Sequence, residues 1–177
     1  MGVNSKMREK TRRERYAEKA KSAVIHSISV CTVNFDNDEN LALTIRAATC
    51  FGAESIMIIG SIPPYSFLHP ASGSTSDLIK KIQFNSPGEF LRWAKDNDYV
   101  IVSAEITDGA VSLYDFDFPI DKKIVIVMGN EYTGVPSEIV HNSTPVFIPM
   151  DGIGFCLNTM QTSTVFLSEY CRQKVLK

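Results

Sequence analysis

Lys123-Ile124-Val125-Ile126-Val127-Met128-Gly129-Asn130-Glu131-Tyr132-Thr133-Gly134 is an unbroken apolar run that ends in a polar turn bracketed by two glycines. An apolar run of this length, rich in β-branched residues, reads as a strand buried on both faces. Gly129 and Gly134 permit close backbone approach or positive φ just where the strand stops. The segment is equally compatible with an ordinary β-to-α turn and with a loop that closes on a ligand.

Working outward, residues 99–104 form a second buried strand of the same kind. Residues 23–33, 55–59 and 145–149 read as further strands. Between them lie helical stretches. Residues 5–22 hold strong helix formers without Gly or Pro. Asp38 can cap a helix running to about residue 51, where Leu41, Ile45 and Ala48 share an apolar face and Gly52 ends it. Ser86-Pro87-Gly88-Glu89 is a capping box opening a helix to about residue 97. Residues 136–141 and 157–174 complete the set. Residues 60–76, with three prolines, two glycines and several Ser or Thr, read as a long loop and hence a functional candidate. Apolar strands alternating with helices predict an α/β fold, a parallel sheet covered by helices on both faces. Ligands of such sheets lie beyond the carboxyl ends of the strands.

Composition sets the outer bounds. The 177 residues are 44% hydrophobic and 21% charged, with a mean hydropathy of −0.02. This fits a single globular domain and excludes an obligately disordered chain. No apolar run is long enough to span a membrane, and the charged start is not read as a secretory signal. Cys31, Cys50, Cys156 and Cys171 show no CxxC spacing and read as reduced thiols of a cytoplasmic protein. His26, His69 and His141 form no ligand cluster, so no metal is expected.

The net charge of −2 conceals an asymmetry. Residues 1–25 carry eight Lys or Arg against three Glu, a net of +5, and the remainder a net of −7. A basic arm (residues 1–22) on an acidic domain (residues 23–177) fits a polyanionic partner met through Arg12, Arg13 and Arg15. Charge alone fits a solvated helix, with Glu14, Glu18, Arg15 and Lys19 at i,i+4, equally well. On the body, a few residues such as Lys80, Lys81 and Arg92 are left to meet phosphates.

Several chemistries are excluded. Gly152-Ile153-Gly154 begins like a dinucleotide fingerprint, but Leu157 stands where the third glycine belongs. The chain has neither a GxxxxGK[ST] phosphate loop nor a GxSxG nucleophile elbow.

Three segments together resemble one family. They are Asn40 to Arg46-Ala47-Ala48 and Phe51-Gly52-Ala53; Ile126 to Val135; and Ile148-Pro149-Met150-Asp151-Gly152 followed by Cys156-Leu157-Asn158. In order and spacing they are similar to the SPOUT-superfamily RNA 2′-O-ribose methyltransferases of the SpoU/TrmH type, over residues 24–173. Ala71-Ser72-Gly73-Ser74 and Ser103-Ala104-Glu105 to Asp108 bring the chain nearest to the TrmH-like tRNA enzymes. The resemblance implies a C-terminal deep trefoil knot, a homodimer with the last helix in its interface, and S-adenosylmethionine as cofactor. Met160, Val165, Phe166 and Tyr170 supply apolar surface on that helix for the dimer.

The resemblance also assigns residues. Ala104, Gly129, Glu131, Ile148, Met150 and Leu157 are expected at the cofactor, with Glu131 fixing its loop through backbone amides. Arg46 is expected as the catalytic arginine, near the cofactor of the other subunit, and with Asn40 at the RNA substrate. Its alternative is a surface residue paired with Asp38 or Glu39. Asn158 is expected to orient Arg46 or the ribose, its alternative being a helix cap. Cys156 stands where the family usually has Ser, and Thr159 to Thr162 replace small apolar residues. This leaves a second reading, a catalytically weak relative that binds RNA or cofactor.

Overall fold

A computed structural model describes residues 10–176; Lys6, Arg8 and the rest of residues 1–9, within the expected arm, lie outside the described residues. The elements run α1 (Arg12–Ala20), β1 (His26–Val33), α2 (Asp38–Cys50), β2 (Ala53–Ile59), α3 (Tyr65–Ala71), β3 (Lys80–Phe84), α4 (Pro87–Asp96), β4 (Tyr99–Ala104), β5 (Val111–Ser112), β6 (Lys123–Met128), α5 (Ser137–Val140), β7 (Thr144–Phe147) and α6 (Thr159–Leu176).

The seven strands form one sheet in the order β3-β2-β1-β6-β4-β7-β5, and every pairing is parallel. The pleat divides each apolar run between two faces. Ile28 and Val30 of β1, with Ile124, Ile126 and Met128 of β6, join a core with Leu41 and Ile45 of α2 and with Phe166, Leu167 and Tyr170 of α6. Cys31 and Val33, with Val125 and Val127, pack on Phe90 of α4 and Ile139 of α5. Helices therefore cover both faces, as expected. Each such side chain contributes about 1.5–3 kcal/mol by burial.

The strand order positions the site. The chain winds outward from β1 to β3, then returns to lay β4 beyond β6, with β6 between β1 and β4. The carboxyl ends of β4, β6 and β7 are thereby gathered on one side of the sheet.

The expected loop over 60–76 contains α3. Pro64 leads into it, Leu68 is buried beneath it, and Pro70, which has no N–H to give the helix, sits inside its last turn. The proline and serine content concealed one short helix fixed by a single apolar anchor. Strand β3 was missed because its sequence, Lys80-Lys81-Ile82-Gln83-Phe84, is that of an edge, where lysines face water. Asn37 caps α2, accepting from the Glu39 N–H at 2.8 Å, and Asp38 falls inside the first turn. Ser86 caps α4 as expected, but Glu89 reaches back to the N–H of Asn85. Of the four apolar residues of α6 expected at a dimer, Phe166 and Tyr170 are fully buried in the domain's own core, whereas Met160 and Val165 are only partly buried; Val175 and Leu176 at the end of the helix are exposed.

Candidate active site

Three strand ends build the site. Ala104 closes β4 and leads to Glu105, Met128 closes β6 and leads to the 129–135 loop, and β7 runs out into Ile148 and the irregular 149–158 segment. Between them opens a cavity of about 1160 Å³. Ala104, Gly129, Glu131, Ile148, Met150 and Leu157, the six residues expected at the cofactor, all line it, and so does Cys156.

The 129–135 loop is prebuilt. Asn130 and Gly134 exchange both backbone hydrogen bonds, at 3.1 and 3.0 Å. The Asn130 side-chain oxygen accepts from the N–H groups of Tyr132 and Thr133, and its amide donates to the Asn34 carbonyl. Gly129 needs to be glycine because the loop folds back on it: a Cβ there would lie 2.2 Å from the Gly134 carbonyl carbon. The loop itself, rather than a ligand, is what approaches Gly129. Glu105 clamps the far end, accepting from the Val135 N–H at 2.8 Å and from the Ile106 N–H at 3.0 Å. Sequence reasoning gave Glu105 no role; its place one residue past the end of β4 was the available signal.

Glu131 ties this loop to α2. Its carboxylate accepts from the Asp36 N–H (2.9 Å), the Asn37 N–H (3.3 Å) and Asn40 Nδ2 (2.6 Å). Partial burial pushes the carboxyl upward, but the hydrogen bonds from Asn40 and the backbone amides outweigh it, so the group is held below its ordinary value. Glu131 thus holds backbone amides, as expected. Buried Asn40 bridges onward, its Oδ1 accepting from Asn158 Nδ2 at 3.0 Å. Both polar atoms of the Asn40 amide are therefore engaged within the protein.

Asn158 also caps α6. Its Oδ1 accepts from the Met160 N–H at 2.9 Å, and its N–H donates to Gln161 Oε1 at 3.2 Å. Cap and link are thus the same residue. Its partner is Asn40 rather than Arg46. Thr159, unremarked in the sequence as a site residue, lines the cavity with a hydroxyl that has no hydrogen-bond partner.

Arg46 stands apart. It is exposed on α2 and is not among the residues lining the cavity. It makes no ion pair with Asp38, Glu39 or any other described residue. Its guanidinium rests against Gly73, where an added Cβ would meet Nη1 at 3.3 Å. Arg12, Arg13 and Arg15 are exposed on α1. Thr11 and Glu14 form a capping box there, and Glu18 pairs with Lys10 at 2.7 Å, so the i,i+4 pattern is not the one that forms.

The SpoU rRNA Methylase family model matches residues 27–168 of the chain. The mouse (Mus musculus) tRNA (guanosine(18)-2′-O)-methyltransferase TARBP1 is 27% identical over 168 residues, 92% of this chain and 10% of its own length. The 23S rRNA (uridine(2479)-2′-O)-methyltransferase of Streptomyces viridochromogenes is 28% identical over 145 residues, 77% of this chain and 49% of its own. The chain therefore spans at most about half the length of these curated relatives. Among solved structures, the A. aeolicus TrmH/SpoU tRNA modifying enzyme superposes with a TM-score of 0.78 at 21% identity, covering 92% of this chain and 84% of that one. The AdoMet-bound rRNA methyltransferase from Sinorhizobium meliloti gives 0.76 at 25% identity, covering 84% and 58%.

Proposed function

The chain belongs to the SpoU rRNA methylase family, and from that premise we propose that it transfers the methyl group of S-adenosylmethionine to a ribose 2′-hydroxyl of RNA. The observation that carries this reading is the sign of the charge around the cavity. Glu105, Asp108 and Glu131 line it, with no Lys or Arg among the described lining residues. A phosphate-bearing nucleotide would meet like charge there, whereas a sulfonium and an ammonium meet the opposite charge. Met128, Ile148, Leu157 and Phe166 add apolar surface for a flat base. The residues present therefore fit this cofactor, with Ala104, Gly129, Ile148, Met150 and Leu157 holding it.

When bound, S-adenosylmethionine supplies an electrophilic methyl group. The chain must align a ribose oxygen with it and stabilise the charge that grows as the hydroxyl proton leaves. Arg46 cannot act as a base at ordinary pH. Its fork of donors suits a backbone phosphate and the developing oxyanion instead. Because Arg46 does not line its own cavity, we read the active unit as a homodimer in which Arg46 of the partner subunit serves each cavity. Tyr132, Ile153 and Phe155, each at least 86% exposed beside the site, supply apolar surface for that contact. Glu131, Asn40 and Asn158 hold the loops in register. The C-terminal knot is inferred from family membership alone.

We favour tRNA as the RNA class, on the likeness to TrmH-type enzymes carried by Ala71-Ser72-Gly73-Ser74, and on the tRNA substrate in the mouse relative's name. The four cysteines are all free thiols, which supports a cytoplasmic setting. The test is transfer of labelled methyl from S-adenosylmethionine to purified tRNA and rRNA, with the product nucleoside identified after digestion. A 2′-O-methylated nucleoside from tRNA is expected. Transfer to rRNA alone would overturn the RNA class, and transfer to neither would overturn the activity.

A further inference from the structure

Two side chains meet at Gly73. The Tyr16 hydroxyl donates to the Gly73 carbonyl at 2.9 Å. The Arg46 guanidinium lies against the bare Cα of the same residue. Gly73 and Ser74 are both left-handed, at φ +66° each. The turn is pinned by the Gly73 N–H on the Pro70 carbonyl and the Ser74 N–H on the His69 carbonyl, while Ser72, Thr75 and Ser76 are buried around it. A strained backbone held this firmly is a fixed platform.

Helix α1 depends on that platform. It has no buried residue, and its nine residues fall short of what an isolated helix needs in water. Among the described residues, the Tyr16 bond is the one hydrogen bond joining α1 to the folded domain. Helical spacing places Arg12, Arg13 and Lys19 on turns adjoining Tyr16. Glu14 is engaged in the cap and Glu18 with Lys10, so Arg12, Arg13 and Arg15 have no ion pair among the described residues.

We propose that Tyr16 is a positioning residue: by fixing the basic helix to the glycine on which Arg46 rests, it makes the arm and Arg46 one continuous docking surface for an RNA backbone. This rests on the methyltransferase reading. The arm charges supply affinity, and the Tyr16–Gly73 bond supplies the register that brings the bound strand to Arg46.

The experiment compares the full chain with Tyr16→Phe and with a chain lacking residues 1–21. It measures RNA affinity against salt, methyl transfer at saturating RNA, and amide exchange at residues 72–75 with and without RNA. Tyr16→Phe keeps every charge, so its affinity and salt slope should stay within about twofold of the full chain. Its transfer rate at saturating RNA should fall roughly 3- to 10-fold, the scale of one neutral hydrogen bond. RNA should protect residues 72–75 in the full chain and not in Tyr16→Phe. An unchanged rate in Tyr16→Phe overturns the proposal. So does a Tyr16→Phe salt slope equal to that of the truncated chain, because Tyr16 would then only hold the helix folded. If the full chain methylates no RNA, the methyltransferase reading fails, and the docking surface is judged by exchange alone: no RNA protection at residues 72–75 overturns it.

Discussion

Asn158 donates its side-chain amide to Asn40 at 3.0 Å across 118 positions of sequence, joining the start of the last helix to the first turn of α2. Asn40 passes the link to Glu131, so the start of α2, the 129–135 loop and the 149–158 segment share one hydrogen-bonded chain. Asn158→Ala should cost about 1–2 kcal/mol, because it removes both the cap on Met160 and the link. Asn158→Asp keeps the cap oxygen but turns a carboxylate oxygen toward Asn40 Oδ1, an acceptor held in place by its own amide's bond to Glu131, so the link is lost at an added repulsive cost while the cap remains. In a double-mutant cycle with Asn40→Ala, urea unfolding should give a coupling of about 1 kcal/mol; additive effects would mean the contact carries no energy.

Gly129→Ala should disable the cavity while sparing the sheet. The added methyl would overlap the Gly134 backbone, so the 129–135 loop must move. Strain of this kind costs about 1–3 kcal/mol. Calorimetry should show loss of S-adenosylmethionine binding, with far-ultraviolet circular dichroism unchanged.

Arg46→Ala should separate chemistry from binding. With no role in the cavity wall or the core, its loss should leave the cofactor affinity and thermal stability near those of the parent chain. Methyl transfer should fall by roughly 10²-fold or more. Arg46→Lys should recover only part of it, since a point charge cannot reproduce a bidentate fork. Near-normal transfer by Arg46→Ala would remove this residue from the mechanism.

Glu131 gives the site an acid limit. Its folded carboxyl is held below the ordinary value of 4.5 by the hydrogen bonds from Asn40 and the Asp36 and Asn37 amides, which prevail over its partial burial. A depressed carboxylate contributes stability that is fully present above its ordinary value and is lost as pH falls through its folded value. Urea unfolding should therefore show constant support from this group near neutrality and a decline below about pH 4.5. Glu131→Gln turns an amide N–H toward the donors it meets, so it should weaken the loop at pH 7 and flatten that acid decline.

The alternation of apolar strands and helices was legible because side-chain period and burial are local: residues 99–104 and 123–128 declare themselves as strands without reference to the rest of the chain. The same locality explains the failures. Residues 80–84 form a strand only because an edge of β2 is there to receive them. Residues 65–71 form a helix because Leu68 finds the core.

By itself the sequence determined a parallel α/β sheet and the strand ends at which a ligand would sit, since both follow from patterns read over a dozen residues. The family resemblance of its motifs also named six of the residues that line the cavity. Only the tertiary structure decided what those motifs do to one another. Gly129 serves its own loop, Asn158 reaches Asn40 rather than Arg46, and Tyr16 and Arg46 meet at Gly73. Each of these is a contact between distant positions whose partners are set by the strand order, and hydrogen bonds and steric overlap act only over a few ångströms. No local pattern records which residues the fold will bring that close.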